Sequence, residues 1–259
     1  MKRAGFLFLI MGLVTILVAA ICQAPPQADP PRLYLMGDFL VDASRAGDYE
    51  TALKELISHL KKHAFPLLFD TYATDDSHYF VVYGLKDAAD IDLWKKAWRE
   101  LAQQMGPETL QAVHLRIVAA ELERVYQLWY FRPDISFLPD KERLKPEEIG
   151  HYTWDFVWVI PGKEAEFEAL NKEWIALSRA KKAPDPFMTY VGDLGTNMPV
   201  YVWFEYGKSP ADYAAAEERF WKSMGAEGAG LSKRTRALIR RMESKTGRYR
   251  SDLSFAPRK

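Results

Sequence analysis

The sequence predicts an α+β fold built twice from one unit, each a four-stranded antiparallel sheet with helices on one face. Three observations carry that prediction. The phrase Arg132-Pro133-Asp134-Ile135-Ser136-Phe137-Leu138-Pro139 returns 118 residues later as Arg250-Ser251-Asp252-Leu253-Ser254-Phe255-Ala256-Pro257, the mark of a duplicated structural unit. Ahead of each copy the apolar pattern runs strand, helix, strand, strand, helix, a further helix, strand. The strands are also bulky on both sides, as in residues 152–158 and 201–206. A sheet apolar on both faces has to be covered twice. Helices cover one face, and the other unit's sheet is the simplest cover for the second.

In the first unit (residues 32–140) residues 33–41 form an extended apolar run. Tyr49, Leu53, Leu56, Ile57 and Leu60 then recur at helical spacing between Gly47 and His63. Residues 66–72 and 79–83 read as strands joined by the polar cluster Thr74-Asp75-Asp76-Ser77. Ile91, Trp94, Trp98 and Leu101 mark a second helix, and after the Gly106-Pro107 break a third runs to about Arg124. Residues 127–131 close the unit. Residues 141–150, charged and interrupted by proline, are the linker.

The second unit (151–259) repeats the order. It has strands at 152–160, 186–191 and 200–206 and a first helix marked by Phe167, Leu170, Trp174 and Leu177. Further helices are expected at 212–224 and 231–244, the last of them basic. Asp38-Phe39 matches Asp155-Phe156 at an offset of 117, Pro66 matches Pro186 at 120, and Tyr79 matches Tyr201 at 122.

Bulk composition supports a folded body, with 48% hydrophobic and 14% aromatic residues. Thirty-five basic residues balance thirty-five acidic ones, so no global field favours nucleic acid. Residues 1–24 read as a secretory signal peptide. Lys2 and Arg3 precede an uncharged apolar run, and small residues follow it. A Pro-rich tether spans 25–31. The expected location is periplasmic or secreted. An uncleaved anchor, or lipid attachment at Cys22, is the competing reading, and the membrane is reached only through this segment. Cys22 is the single cysteine, so the folded part holds no disulfide and no cysteine nucleophile.

With this element order and duplication, residues 32–257 resemble the dimeric α+β barrel superfamily, including its antibiotic-biosynthesis-monooxygenase-like and NIPSNAP-like members. In that superfamily two ferredoxin-like β-α-β-β-α-(α)-β units close their sheets around a shared interior. The resemblance implies an intramolecular barrel; a monomer or a homodimer is expected. Its members include cofactor-free oxygenases, haem-degrading enzymes and binding proteins, so the fold alone selects no function.

Within that frame Asp38 and Asp155, at matching places in the opening strands, are candidate barrel carboxylates; a buried carboxylate with a raised pKa serves as a general base. His151 and His78 open strands, where an imidazole acts as a base or a haem ligand. Glu205 replaces Tyr83 of the first unit, which makes it the asymmetric polar residue of the aromatic set. The candidate catalytic residues are therefore Asp155, Glu205 and His151. Trp154, Trp203, Tyr201 and Asp38 are expected to contact a small hydrophobic ligand in the intersheet space. The duplicated Arg132/Asp134 and Arg250/Asp252 are read as structural clasps, free to pair with each other or with Asp38 and Asp155. His59 and His63 are four apart, but no Glu completes an HExxH motif, and no metal site is expected. No cofactor is predicted; haem is the one the resemblance would bring. The leading reading is a ligand- or partner-binding protein. A cofactor-free oxygenase-like or haem-handling enzyme, or a structural module with a solid barrel, are the alternatives.

Overall fold

The computed structural model describes residues 32–257. The expected signal peptide, the tether and Cys22 lie outside the described residues. No helix among the described residues is long and apolar enough to cross a membrane.

The first half contains β1 (Leu33–Val41), α1 (Ala46–Lys62), β2 (Asp70–Thr74), β3 (His78–Leu85), α2 (Asp90–Met105), α3 (Pro107–Val118) and β4 (Glu121–Phe131). The second half contains β5 (His151–Val159), α4 (Glu164–Ala180), β6 (Met188–Gly192), β7 (Val200–Gly207), α5 (Pro210–Arg236) and β8 (Ile239–Tyr249). All neighbouring strands are antiparallel, and they close into one eight-stranded barrel in the order β1-β3-β2-β8-β5-β7-β6-β4. The two closures between halves are short, β2 with β8 through Tyr72–Thr74 and β4 with β6 through Trp129–Phe131.

The strand expected at 66–72 begins only at Asp70, and the ends of the third helices also differ from the sequence expectation. The third helices, expected to run to Arg124 and Ser244, stop at Val118 and Arg236. The charged stretches beyond them suit a helix by propensity, yet they are strand because they pair along β1 and β5. Arg240, Arg241, Lys245 and Arg248 therefore belong to β8, not to a basic helix. The second and third helices of the second half also run together as α5, kinked at Gly225 with φ 56°. Gly106, φ 84°, breaks the first half at the same point in the order. Both are left-handed conformations that favour glycine.

Side-chain alternation sorts the strands into two faces. Met36, Phe80, Trp129, Trp154, Phe156, Val200 and Val202 point inward and pack as the barrel core, with Tyr72, Tyr152, Tyr190 and Phe204 around them. Tyr72 stands edge-on to Tyr152 and Trp154 across the seam, with ring centroids 5.1 and 5.4 Å apart. Burying rings of this size contributes roughly 2–3 kcal/mol each. The outer faces carry separate cores. One lies beneath α1–α3 around Leu35, Leu53, Leu60 and Leu101; the other lies beneath α4 and α5 around Val157, Phe167 and Tyr201.

The register overturns one expected equivalence. The bulge between Leu40 and Val41 corresponds to the bulge between Trp158 and Val159, so the opening strands superpose at an offset of 118, not 117. Asp38 is then equivalent to Phe156, and Asp155 to Gly37. A slip of one residue reverses a side chain's face. Asp38 points into the barrel end, 2.6 Å from His78 Nδ1. Asp155 points outward, beneath the helices.

The repeated phrase straps each half to the other. Arg132 bonds Asp134 and also Glu168 of α4. Arg250 bonds Asp252 and also Glu50 of α1. Ser136 Oγ accepts from Thr189 N–H, and Ser254 Oγ from Thr71 N–H. Neither arginine meets Asp38 or Asp155; both pair with their own aspartate and with a glutamate of the opposite half.

Candidate functional site

The space between the outer sheet face and the helix layer occurs once in each half, and the two halves fill it differently. In the first half it is a cavity of about 470 Å³. Its floor is Phe39, Val81, Tyr83 and Tyr126 from the sheet; its walls are Leu53 and Leu56 of α1, Trp94 and Trp98 of α2, and Leu110 and Ile117 of α3. Gln111, His114, Glu121 and Arg124 supply the polar part of the lining. The volume lies within the range of small-molecule sites, which are mostly apolar with a few placed polar groups.

Within this wall the Nε1 atoms of Trp94 and Trp98 are buried without a hydrogen-bond partner. Tyr83 in the floor, its ring centroid 6.1 Å from that of Trp94, has its pKa raised by burial. Such orphaned donors normally carry a desolvation cost. His114, on α3, is held below the ordinary histidine pKa, first by burial and then by the charge of Arg124.

In the second half the equivalent space is acidic. Lys86 N–H donates to Asp90 and Lys208 N–H to Asp212, which fixes the local offset at 122 and places Glu205 opposite Tyr83 and Ala216 opposite Trp94. With Asp155 in place of Gly37 and Ser244 in place of Tyr126, an aromatic wall has become a hydrogen-bonded one. Tyr213 donates to Glu205 Oε2 at 2.5 Å, and Ser244 donates to Asp155 Oδ1 at 2.5 Å. Burial pushes the Glu205 carboxyl up to about 7, partly offset by the Tyr213 hydroxyl and reinforced by the Asp155 charge. Burial also raises Asp155, against the Ser244 bond. His151 lies beside Tyr213, ring centroids 5.5 Å apart, and is lowered by burial.

The expected site residues thus separate into layers. Asp155, Glu205 and His151 share the outer face beneath α5. Tyr201 and Trp203 share that face but are engaged elsewhere, Tyr201 donating to Glu168 and Trp203 to Asn171. Trp154 and Asp38 lie on the barrel interior, so the seven do not form one intersheet site. The barrel interior is packed with aromatic side chains, and the cavity lies on the helix side of the first half's sheet. Trp94, Trp98, Tyr126, Glu121 and Arg124 line the cavity without a pattern in the sequence that marks them as cavity residues. Trp94 and Trp98 fit a helix's core face equally well, and Tyr126, Glu121 and Arg124 sit in the stretch where sequence places helix or its end. Their counterparts at an offset of 118 or 122 are the signal that finds them.

Among the described residues no group of three His, Cys, Asp or Glu side chains is placed to hold a metal ion. His78 Nδ1 lies 2.6 Å from Asp38 Oδ1, and His151 packs against Tyr213. His114 does line the cavity, but Arg124, the guanidinium in that wall, is already held by both oxygens of Glu121. The residues present therefore fit a haem, with its two propionates, poorly.

No family model matches the chain, and no curated protein matches it by sequence. Solved structures do. An anthrone oxidase-like protein superposes with a TM-score of 0.57 at 12% identity, over 86% of this chain and 92% of its own. A "putative monooxygenase" from Fusobacterium nucleatum gives 0.54 at 14%, over 85% and 93%. A chlorite dismutase variant from Candidatus Nitrospira defluvii gives 0.49 at 10%, over 86% and 93%, too loose a fit to argue from. At these identities the likeness is one of fold: the chain shares the α+β barrel architecture of monooxygenase-like structures.

Proposed function

We propose that the chain is a small-molecule-binding protein of two fused ferredoxin-like units, and that its site is the first-half cavity. The carrying observation is that cavity of about 470 Å³ walled by aromatic and aliphatic side chains. A flat, apolar, aromatic guest matches the Trp94, Trp98, Tyr83 and Tyr126 faces. The expected signal peptide supports action outside the cytoplasm. The test is titration with N-phenylnaphthylamine, followed by probe fluorescence and tryptophan quenching. Saturable binding that Leu110→Trp abolishes supports the reading; binding unchanged by that substitution counts against it.

A second reading, an oxygenase-like enzyme, is favoured by Glu205. A carboxyl poised near 7 is matched to proton abstraction at neutral pH, and Asp155 and Tyr213 would hold it in place. Oxygen uptake with anthrone as the trial substrate tests it. Uptake lost in Glu205→Gln supports the base; uptake no faster than in the protein-free control removes the reading.

A further inference from the structure

The polar corner of the first-half cavity has no counterpart in the second half. Glu121 and Arg124 line the cavity, and their equivalents at an offset of 118 are Ile239 and Met242. The Glu121 side chain is only 5% exposed, an unusual place for a carboxylate, while Arg124 is 29% exposed. Arg124 donates Nε to Oε2 at 2.8 Å and Nη2 to Oε1 at 3.0 Å. Its guanidinium also stands over the Phe39 ring, 5.5 Å from the centroid, and Phe39 is part of the cavity floor. The positive group in the cavity lining is therefore charge-compensated by a buried negative one, through two of its five N–H donors.

From this arrangement we propose that Glu121 is a specificity-determining residue: by neutralising Arg124 it makes the cavity accept uncharged aromatic molecules and refuse their anionic analogues. The inference rests on the binding reading above. An anion entering the corner would shed its hydration to meet a guanidinium whose charge the buried Glu121 carboxylate already offsets, so little net attraction replaces the lost water. An uncharged ring pays no such desolvation and gains the apolar wall. Without Glu121, Arg124 would face the cavity as an unopposed cation with a fork of donors suited to a sulfonate or carboxylate.

Two probes with the same ring skeleton separate the alternatives: N-phenylnaphthylamine, which is neutral, and anilinonaphthalene sulfonate, which is anionic. The full chain should bind the neutral probe at least about tenfold more tightly, and Glu121→Gln should cut that ratio by about tenfold or more through a gain in sulfonate affinity. Equal affinities in the unmutated chain overturn the proposal without need of any variant, and so does an unchanged ratio in a folded Glu121→Gln protein. Arg124→Met, which leaves the carboxylate, should not gain sulfonate affinity; a gain there also overturns it. If neither probe binds, or if Leu110→Trp leaves both affinities as they were, the cavity reading itself has failed, not the charge argument.

Discussion

Arg132, at the end of the first half, holds Glu168 on the first helix of the second half through two hydrogen bonds of 3.1 and 2.9 Å. Arg250 and Glu50 make the reciprocal contact. Each glutamate also accepts from a tyrosine, Tyr201 on Glu168 and Tyr79 on Glu50, so each guanidinium completes a network. Arg250 is the more enclosed, 12% exposed against 32% for Arg132. Removing one partner of an enclosed ion pair strands the other. Arg250→Met should therefore cost about 3 kcal/mol in denaturant unfolding. Arg132→Met should cost about 1 kcal/mol, nearer to the surface-pair value. A double-mutant cycle with Glu50→Gln should recover part of the Arg250 loss.

Glu205 should make stability fall as pH rises. Its folded pKa, about 7, lies above the ordinary carboxyl value of 4.5, so between those two the folded state holds a proton that the unfolded state has released. Below pH 4.5 the group costs nothing; above pH 7 the full penalty applies, on the order of 3 kcal/mol. Glu205→Gln should flatten the decline between pH 5 and 7.5 and raise the melting temperature at pH 8. An unchanged pH profile would show that the carboxyl is ionised and solvated in the folded protein.

The orphaned indoles offer a mild test of the cavity wall. Trp94→Phe and Trp98→Phe remove a buried donor that has no acceptor and keep most of the ring. Each should change stability by less than about 1 kcal/mol. Trp98→Ala, which enlarges the void, should cost about 3–5 kcal/mol. A large loss on Trp98→Phe, seen by calorimetry, would mean that the N–H has a partner in solution.

Barrel interior and cavity should respond independently. Trp154→Ala empties part of the interior and should destabilise by about 3–5 kcal/mol, while N-phenylnaphthylamine affinity stays within about twofold, as expected for sites that share no partners. A guest lodged between the sheets would instead bind differently in that variant.

Much of this architecture was legible because duplication left two readings of each element. The echo at Arg132 and Arg250, the tandem order and the two-faced strands predict an intramolecular α+β barrel, and the closed eight-stranded barrel is present. What misled was the match of letters between Asp38-Phe39 and Asp155-Phe156. Neighbouring residues on a strand face opposite ways, so an offset wrong by one placed Asp155 inside a barrel whose wall it backs. The ends of the third helices failed for another reason. Stretches such as Glu121-Leu122-Glu123-Arg124 have no strand alternation of their own, and only pairing with β1 makes them strand. Comparing Tyr83 with Glu205 did pick out a position where the halves diverge, but the nature of the space around it depends on helix packing that one sequence does not disclose.

The linker between the halves is itself fastened, with Arg143 bonded to Asp185 and Asp212. Because each closing strap lies on the opposite half, a chain nicked within residues 141–150 would yield two fragments, each missing the cover for its own sheet. Each would present an apolar face and two unpaired strand edges, and would become a template for the other. Covalent continuity supplies by tethering what separate halves would have to supply by concentration. Folding of the intact chain is then a first-order event, whereas reassembly of the nicked one would be second-order and dilution would undo it.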